Sequence, residues 1–437
     1  MISPRHRTSA WPSILLALTL LILPSAAVAL ADGEQHEPQP WIRLVEDADS
    51  TLHLDIGMRT FEHVSGEGPT ITLVGAVHIG ARPYYRALQR MLDNDFDLVL
   101  YEGVNPEGTS TTRDAELTQR ERVDRTRNRI RLVAILLEQV KRQTGNYPES
   151  LDALAESLAD NHRASTWLET ARIDAWGNPL NYIPNDDRSA FRLVSHGSDG
   201  RPGGRNHAAD LDFAQQRPLN PTELGAEPGL QARLARTFRL SFQLEEMDED
   251  GEHWVNSDMS IDEINRRVEA AGGDGSMLFG MLDGSGGMMR LAGAMLSLVE
   301  AIPGAAQRGQ LMIMEMLSQV DDLESLPGMP GGEALLRVII QDRNQVVIDD
   351  LREVLAQPQP PTRIAVLYGA GHMPDLEQRM LDQLGYRPAE PMRWNTSMRL
   401  NLERAGIPRM EHMMLRAEIM RQLDAARTQE PAGLRLR

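Results

Sequence analysis

Apolar runs too short for a helix alternate with helically spaced segments in two separate parts of the chain, and in the same order. Ile71-Thr72-Leu73-Val74 is a β-rich run that ends in Gly75-Ala76-Val77-His78. Residues 82–94 then place Tyr85, Leu88, Met91 and Leu92 on one helical face. Leu98-Val99-Leu100-Tyr101 is again apolar and of strand length, and Glu102-Gly103 follows at once. Strand–helix–strand units of this kind predict a parallel sheet. Towards the other end, residues 363–367 read as a strand, Gly369-Ala370-Gly371-His372 follows, and 375–384 read as a helix stopped by Gly385. A strand–Gly-x-x-His–helix phrase that occurs twice predicts an internal pseudo-repeat.

Around these units the pattern changes. Residues 41–45 and 51–56 are short strand-like runs. Residues 113–213 read as a self-contained insert: a helix at 121–142 ending at Gly145-Asn146-Tyr147-Pro148, a short helix at 149–159, a strand at 191–194 and a Gly/Asp-rich end. Residues 225–355 are mainly helical, and 391–437 read as a helical tail. Within 271–333, Gly and Met are dense, including Met277, Met281, Met288, Met289, Met295, Met312, Met314 and Met316. Adaptable thioether side chains suit core and interhelical packing, while Gly-rich breaks between them would suit a mobile lid or a greasy groove.

The first residues are of another kind. Arg5, His6 and Arg7 precede an apolar run at 14–23, Pro24-Ser25 breaks it, and Ala29-Leu30-Ala31 supplies a small-x-small pattern. This predicts a signal peptide over 1–31, cut after Ala31, and a periplasmic or secreted product; membrane attachment follows only if the segment stays uncleaved. The sequence has no cysteine, so disulfides contribute nothing and stability must come from the core or from bound metal. With 437 residues the chain is long enough for two domains. Its formal net charge of −18 argues against a nucleic-acid partner, because no broad basic surface is available to displace counterions.

Side chains just beyond the carboxyl ends of parallel strands point into the ligand crevice. His78, Glu102 and His372 all take such positions. Two imidazoles and a carboxylate are a usual ligand set for a divalent transition metal, leaving positions for water and substrate. Glu102 serves equally as a general base or as a strand-end acid facing solvent. Arg343, beside Asn344, is a candidate to clamp a carboxylate or stabilise an oxyanion, or else a surface ion-pair partner of Asp342 or Asp349. In His253-Trp254-Val255-Asn256-Ser257-Asp258 the polar pattern is explained mostly by a helix start, with Ser260 and Glu263 forming a capping box.

Taken together, Gly75-x-x-His78, Leu100-Tyr101-Glu102-Gly103, Asp342-Arg343-Asn344 and Gly369-x-x-His372 resemble the TraB/TIKI family, whose hallmark is paired GxxH motifs with an intervening glutamate. The stretch from Phe242 through Trp254 to Ser260 is similar to that family's middle segment. The resemblance covers about 40–112 and 225–390 as one discontinuous domain. It implies an α/β fold of the EreA/ChaN-like kind, a mixed sheet with helices on both faces. It also implies a metal-dependent peptidase favouring manganese or cobalt and acting through His78, His372 and Glu102; zinc suits the same ligands, and Arg343 would help bind substrate or stabilise negative charge. Bacterial TraB relatives are linked instead to shutting down peptide pheromones.

The insert resembles a second family, the C-terminal domain of the type II secretion major pseudopilin GspG. The matching pieces are Thr144-Gly145-Asn146-Tyr147-Pro148, Asp174-Ala175-Trp176-Gly177-Asn178-Pro179, and the run from Leu193 through Gly203-Gly204 to Asp212. This implies a small α+β module whose terminal loop binds calcium, with Asp199, Asp210 and Asp212 as candidate ligands. A pseudopilin's prepilin cleavage site and long apolar assembly helix are missing, so pilus assembly is not expected. The insert is expected instead to gate the site, present a substrate or meet a protein partner. These readings lead to an exported metal-dependent hydrolase acting on peptides or small molecules. The rivals are a non-catalytic binding or regulatory protein taking a peptide or haem-like ligand, and a calcium-ordered interaction module.

Overall fold

A computed structural model describes residues 39–109, 114–219, 238–271, 304–319 and 337–428. The signal-peptide reading of 1–31 lies outside the described residues, as do Met277, Met281, Met288, Met289 and Met295. The chain is mixed α/β. It opens with strands β1 (Ile42–Glu46), β2 (Thr51–His63), β3 (Thr70–Ala76) and β4 (Ile79–Gly80), helix α1 (Arg82–Asp95) and strand β5 (Leu98–Tyr101). Next come α2 (Gln119–Thr144), α3 (Leu151–Ser157), α4 (His162–Ala171), β6 (Asn181–Pro184), β7 (Phe191–Ser195) and β8 (Leu211–Asp212). Then follow β9 (Ser241–Phe242), α5 (Gln243–Glu246), β10 (Trp254–Asn256), α6 (Ile261–Ala270), α7 (Ala305–Leu317) and α8 (Arg343–Leu355). The last elements are β11 (Arg363–Gly369), α9 (Met373–Arg379), β12 (Tyr386–Pro388), β13 (Arg393–Asn401) and α10 (Arg409–Thr428).

These elements form two compact units. The first holds the described residues up to Asp97, then 238–247, and the described residues from 304 on. Its sheet is built on β2, which pairs antiparallel with β1, β3, β12 and β13. Strands β3 and β11 lie side by side and parallel. Both are continuous apolar runs with Ile71, Leu73, Val74, Ile364, Ala365 and Val366 fully buried, as expected of strands covered on both faces. Gly75 is required by packing, because a Cβ there would come within 2.9 Å of the Gly57 carbonyl on β2. A buried ion pair ties the helical layer to the sheet: Arg59 on β2 donates to Glu377 on α9 at 2.7 Å, and Trp41 Nε1 donates to the other Glu377 oxygen at 3.1 Å.

The expected helical tail over 391–437 is corrected by this unit. Residues Arg393–Asn401 are a strand paired with β2, and α10 begins only at Arg409. Trp394, Thr396 and the alternating Met398 and Leu400 favour extended backbone, and the bonding edge of β2 captures them.

The second unit comprises the described residues of 98–228 and 248–271. Glu102 and the 254–258 segment therefore fall with the insert, not with the scaffold of the two histidines. Strands β5 and β10 pair parallel here. The insert itself is α2 packed with α3 and α4 on the antiparallel sheet β6-β7-β8. Its core is Ile130, Val133, Leu137, Tyr147, Leu154, Leu168 and Leu193. Helix α2 starts with a reciprocal Thr118–Glu121 capping box and ends at Gly145 in the left-handed conformation, φ 89°. The capping box expected at Ser260 is absent. Ser260 does precede α6, yet its side chain makes no cap bond, and Glu263 turns to Arg267 at 2.7 Å.

Candidate functional site

In the first unit the two GxxH phrases are brought to one edge. The parallel register sets Gly75 beside Tyr368 and Ala76 beside Gly369, so His78 and His372 follow adjacent strand ends. Their surroundings differ. His78 is exposed, and its carbonyl accepts from the Gln243 N–H at 2.9 Å. His372 is buried and held on both ring nitrogens.

The hydrogen bonds around His372 fix its tautomer. Asn344 Nδ2 donates to Asp375 Oδ2 at 2.8 Å and to the His372 carbonyl at 3.1 Å. Both are acceptors, so the amide can face the ring only with Oδ1, which lies 2.7 Å from His372 Nδ1. Nδ1 therefore carries a proton, and in the neutral ring Nε2 carries the lone pair. Arg343 Nη1 lies 3.5 Å from Nε2, and the Tyr368 ring meets the imidazole edge-on. Arg343 is buried at the start of α8 and faces the histidine, while Asp349 pairs with Arg352. In the sequence Asn344 has no role of its own beyond its place in the Asp342-Arg343-Asn344 phrase.

In the second unit the turn carrying Glu102 is clamped from β10. Gly103 N donates to Asp258 Oδ2 at 3.1 Å, and Asn256 Nδ2 donates to the Gly103 carbonyl at 2.6 Å. A side chain at position 103 would meet Asn256 Nδ2 at 2.8 Å, which accounts for the glycine. Asp258 thus shapes the turn, with its other oxygen on Met259 N. Glu102 itself is half-buried.

A second acid shares this polar centre. Glu249 is buried and accepts from Arg163 of α4 at 3.0 Å. Burial raises its pKa and Arg163 opposes; with Asp250, Glu102 and Asp248 adding to the rise, Glu249 is pushed up to about 7 from an ordinary 4.5. A folded-state value above the unfolded one stabilises fully below about pH 4.5, and that stabilisation is lost as pH rises through about 7. Glu249→Gln mimics the protonated acid. It is expected to match wild type at about pH 4 and to be more stable by up to about 3 kcal/mol at about pH 8, read as a shift in thermal midpoint. Equal gains at both pH values would contradict this.

The calcium candidates lie around the loop after β7. Asp199 Oδ1 accepts from Arg201 N at 3.1 Å, and Asp212 accepts from Arg192 Nε at 2.9 Å. Asp210 Oδ1 accepts from Gly203 N at 3.0 Å and meets His196 Nδ1 at 3.1 Å. Desolvation raises the Asp210 pKa, but the bonds from His196 and Gly203 outweigh it and hold the carboxyl low. The loop's glycines are structural: Gly204 has φ +85°, and a Cβ there would run into the Ala208 carbonyl. Among the described residues, no three His, Asp or Glu side chains converge in a metal-holding group. No helix of the described residues is long and apolar enough to cross a membrane.

Known proteins resemble the insert. Residues 115–213 match the family model described as Type II secretion system (T2SS), protein G. The Type II secretion system core protein G of Pseudomonas aeruginosa is 31% identical over 90 residues, 19% of this chain and 63% of that protein. Its counterpart from Xanthomonas campestris pv. campestris is 32% identical over 92 residues, 20% of this chain and 62% of that protein. The chain thus spans less than two thirds of the relatives it matches. No solved structure matches the chain. The pseudopilin-like module at 115–213 is therefore similar in sequence to protein G of type II secretion, and it folds here as one α/β body with the strand pair that carries Glu102.

Proposed function

We propose that this chain is an exported metal-dependent hydrolase of the TraB/TIKI type, acting on peptides. The observation that carries the reading is the fixing of His372 as the Nδ1–H tautomer, at a strand end in register with that preceding His78. Metal-ligating histidines characteristically hold their second nitrogen in such a bond. The scaffold is read as EreA/ChaN-like. His78 and His372 are the residues that would hold manganese, cobalt or zinc. Such an ion supplies a bound water of near-neutral pKa and polarises a carbonyl. Arg343, buried beside Nε2, orients the substrate and offsets negative charge on its oxygen. The likeness of the insert to a secretion-system protein supports a periplasmic or envelope setting and a protein partner for the module.

The test is direct. Purified protein is loaded with manganese, cobalt or zinc, and metal content and cleavage of a peptide library are measured for wild type, His78→Ala and His372→Ala. Each variant is expected to lose metal and turnover together. Arg343→Ala should retain metal while kcat falls about 10²–10³-fold. Metal held through His78 and His372 with no cleavage of any peptide would identify a non-catalytic binder of a peptide or haem-like ligand. A wild-type protein that binds no transition metal would overturn the proposal.

For the module, we infer a calcium ion on Asp199, Asp210 and Asp212 that competes with the bonds from His196 and Arg192. Saturating calcium, at about a hundred times its Kd, is expected to add about 2.7 kcal/mol of stability. Asp210→Ala should abolish the gain, and a melting temperature indifferent to calcium would remove this inference.

A further inference from the structure

Helix α10 turns three of its methionines outward. The three most exposed large apolar side chains among the described residues are Met410, Met413 and Met414, at 66, 60 and 66%. They fall at i, i+3 and i+4, which is one helical face. Neighbouring positions of the helix hold it to the fold. His412 meets buried Glu315 of α7 at 2.5 Å, Ile419 is buried, Glu411 accepts from Arg308 at 3.0 Å, and Arg409 reaches Glu46 at 3.0 Å. The helix is therefore locked in rotation, and its outward face is fixed as the thioether face.

We propose that Met410, Met413 and Met414 form a binding site for a soft monovalent metal ion, Cu(I) or Ag(I). Cβ atoms at this spacing lie about 5–6 Å apart. Each methionine adds an unbranched, freely rotating arm ending in polarisable sulfur, so the three Sδ atoms can converge above the helix. Thioethers select Cu(I) over the hard and borderline divalent ions that imidazole and carboxylate would hold. The chain has no cysteine, so thioethers are the soft ligands it offers. The site is independent of the hydrolase reading.

The experiment uses the full chain under anaerobic conditions, with Cu(I) titrated in competition with a chromophoric Cu(I) chelator. Wild type is compared with M410L/M413L/M414L, which keeps the apolar face and removes only sulfur. The variant is expected to lose one equivalent of Cu(I), or to hold it at least about tenfold more weakly. Peroxide oxidation of wild type, mapped by peptide mass with and without Ag(I), should show protection at these three methionines, because a metal-bound thioether is a poor nucleophile. The mapping decides the matter even if the variant folds poorly. Equal Cu(I) retention by both proteins, retention by neither, or unprotected methionines would overturn the proposal.

Discussion

Glu377→Ala is expected to destabilise the first unit by about 3–5 kcal/mol, which lowers its thermal midpoint by roughly 10 °C. The reason is the fate of Arg59. Its guanidinium is buried on β2 and pairs with Glu377 at 2.7 Å. Removing the carboxylate takes a counterion from a buried charge, and deprives Trp41 Nε1 of an acceptor at 3.1 Å. Desolvation has already been incurred by both groups, so loss of one partner exposes the full cost on the other. Glu377→Gln keeps an acceptor for Trp41 and should fall between. The check is thermal and denaturant unfolding followed by tryptophan emission. A loss below about 1 kcal/mol for the alanine variant would show that water reaches Arg59.

Arg129→Ala should do comparable damage in the second unit, about 2–4 kcal/mol. Arg129 is buried on α2, and four of its five N–H groups are used. Nε donates to the Gly108 carbonyl at 3.1 Å, Nη1 to Asp114 at 2.8 Å and to the Ile173 carbonyl at 3.2 Å, and Nη2 to Asp114 at 3.1 Å. Three chain segments thus converge on one planar cation: the run after Glu102, the start of the module and the turn before β6. Lysine offers a point charge in place of the fork, so Arg129→Lys should recover only part of the loss. Hydrogen exchange at 105–109 and 173–178 would read out the loosening. Unchanged protection there would refute the assignment of Arg129 as the joint.

Buried arginines on α2 also explain what the sequence pattern could and could not convey. A helix with this many arginines reads as amphipathic, with its charges in water. Instead Arg125, Arg129 and Arg131 are buried and satisfy carboxylate and carbonyl oxygens of neighbouring loops. Periodicity cannot anticipate this, because a buried charge is decided by partners distant along the chain. The role of Asn344 is hidden from the sequence for the same reason. Its importance lies in presenting Oδ1 to His372, and that follows from Asp375 and the His372 carbonyl occupying its other end.

Some features were legible from residues alone. Apolar runs located β3, β5 and β11, Gly385 marked a helix end, and the Gly- and Asp-rich phrases marked the module that matches protein G of type II secretion. These signals are local, set by side-chain burial, backbone strain and turn chemistry within a few residues. Tertiary structure decided the rest. It set β3 beside β11 in register, so that two distant GxxH phrases end at one edge. It left His78 exposed while burying His372 between Asn344 and Arg343. It also made a strand of 393–401 where a helical tail was expected, and grouped Glu102 with the inserted module. Strand pairing and buried hydrogen bonds depend on which edges and orphan polar groups meet in space, and one-dimensional spacing carries no record of that.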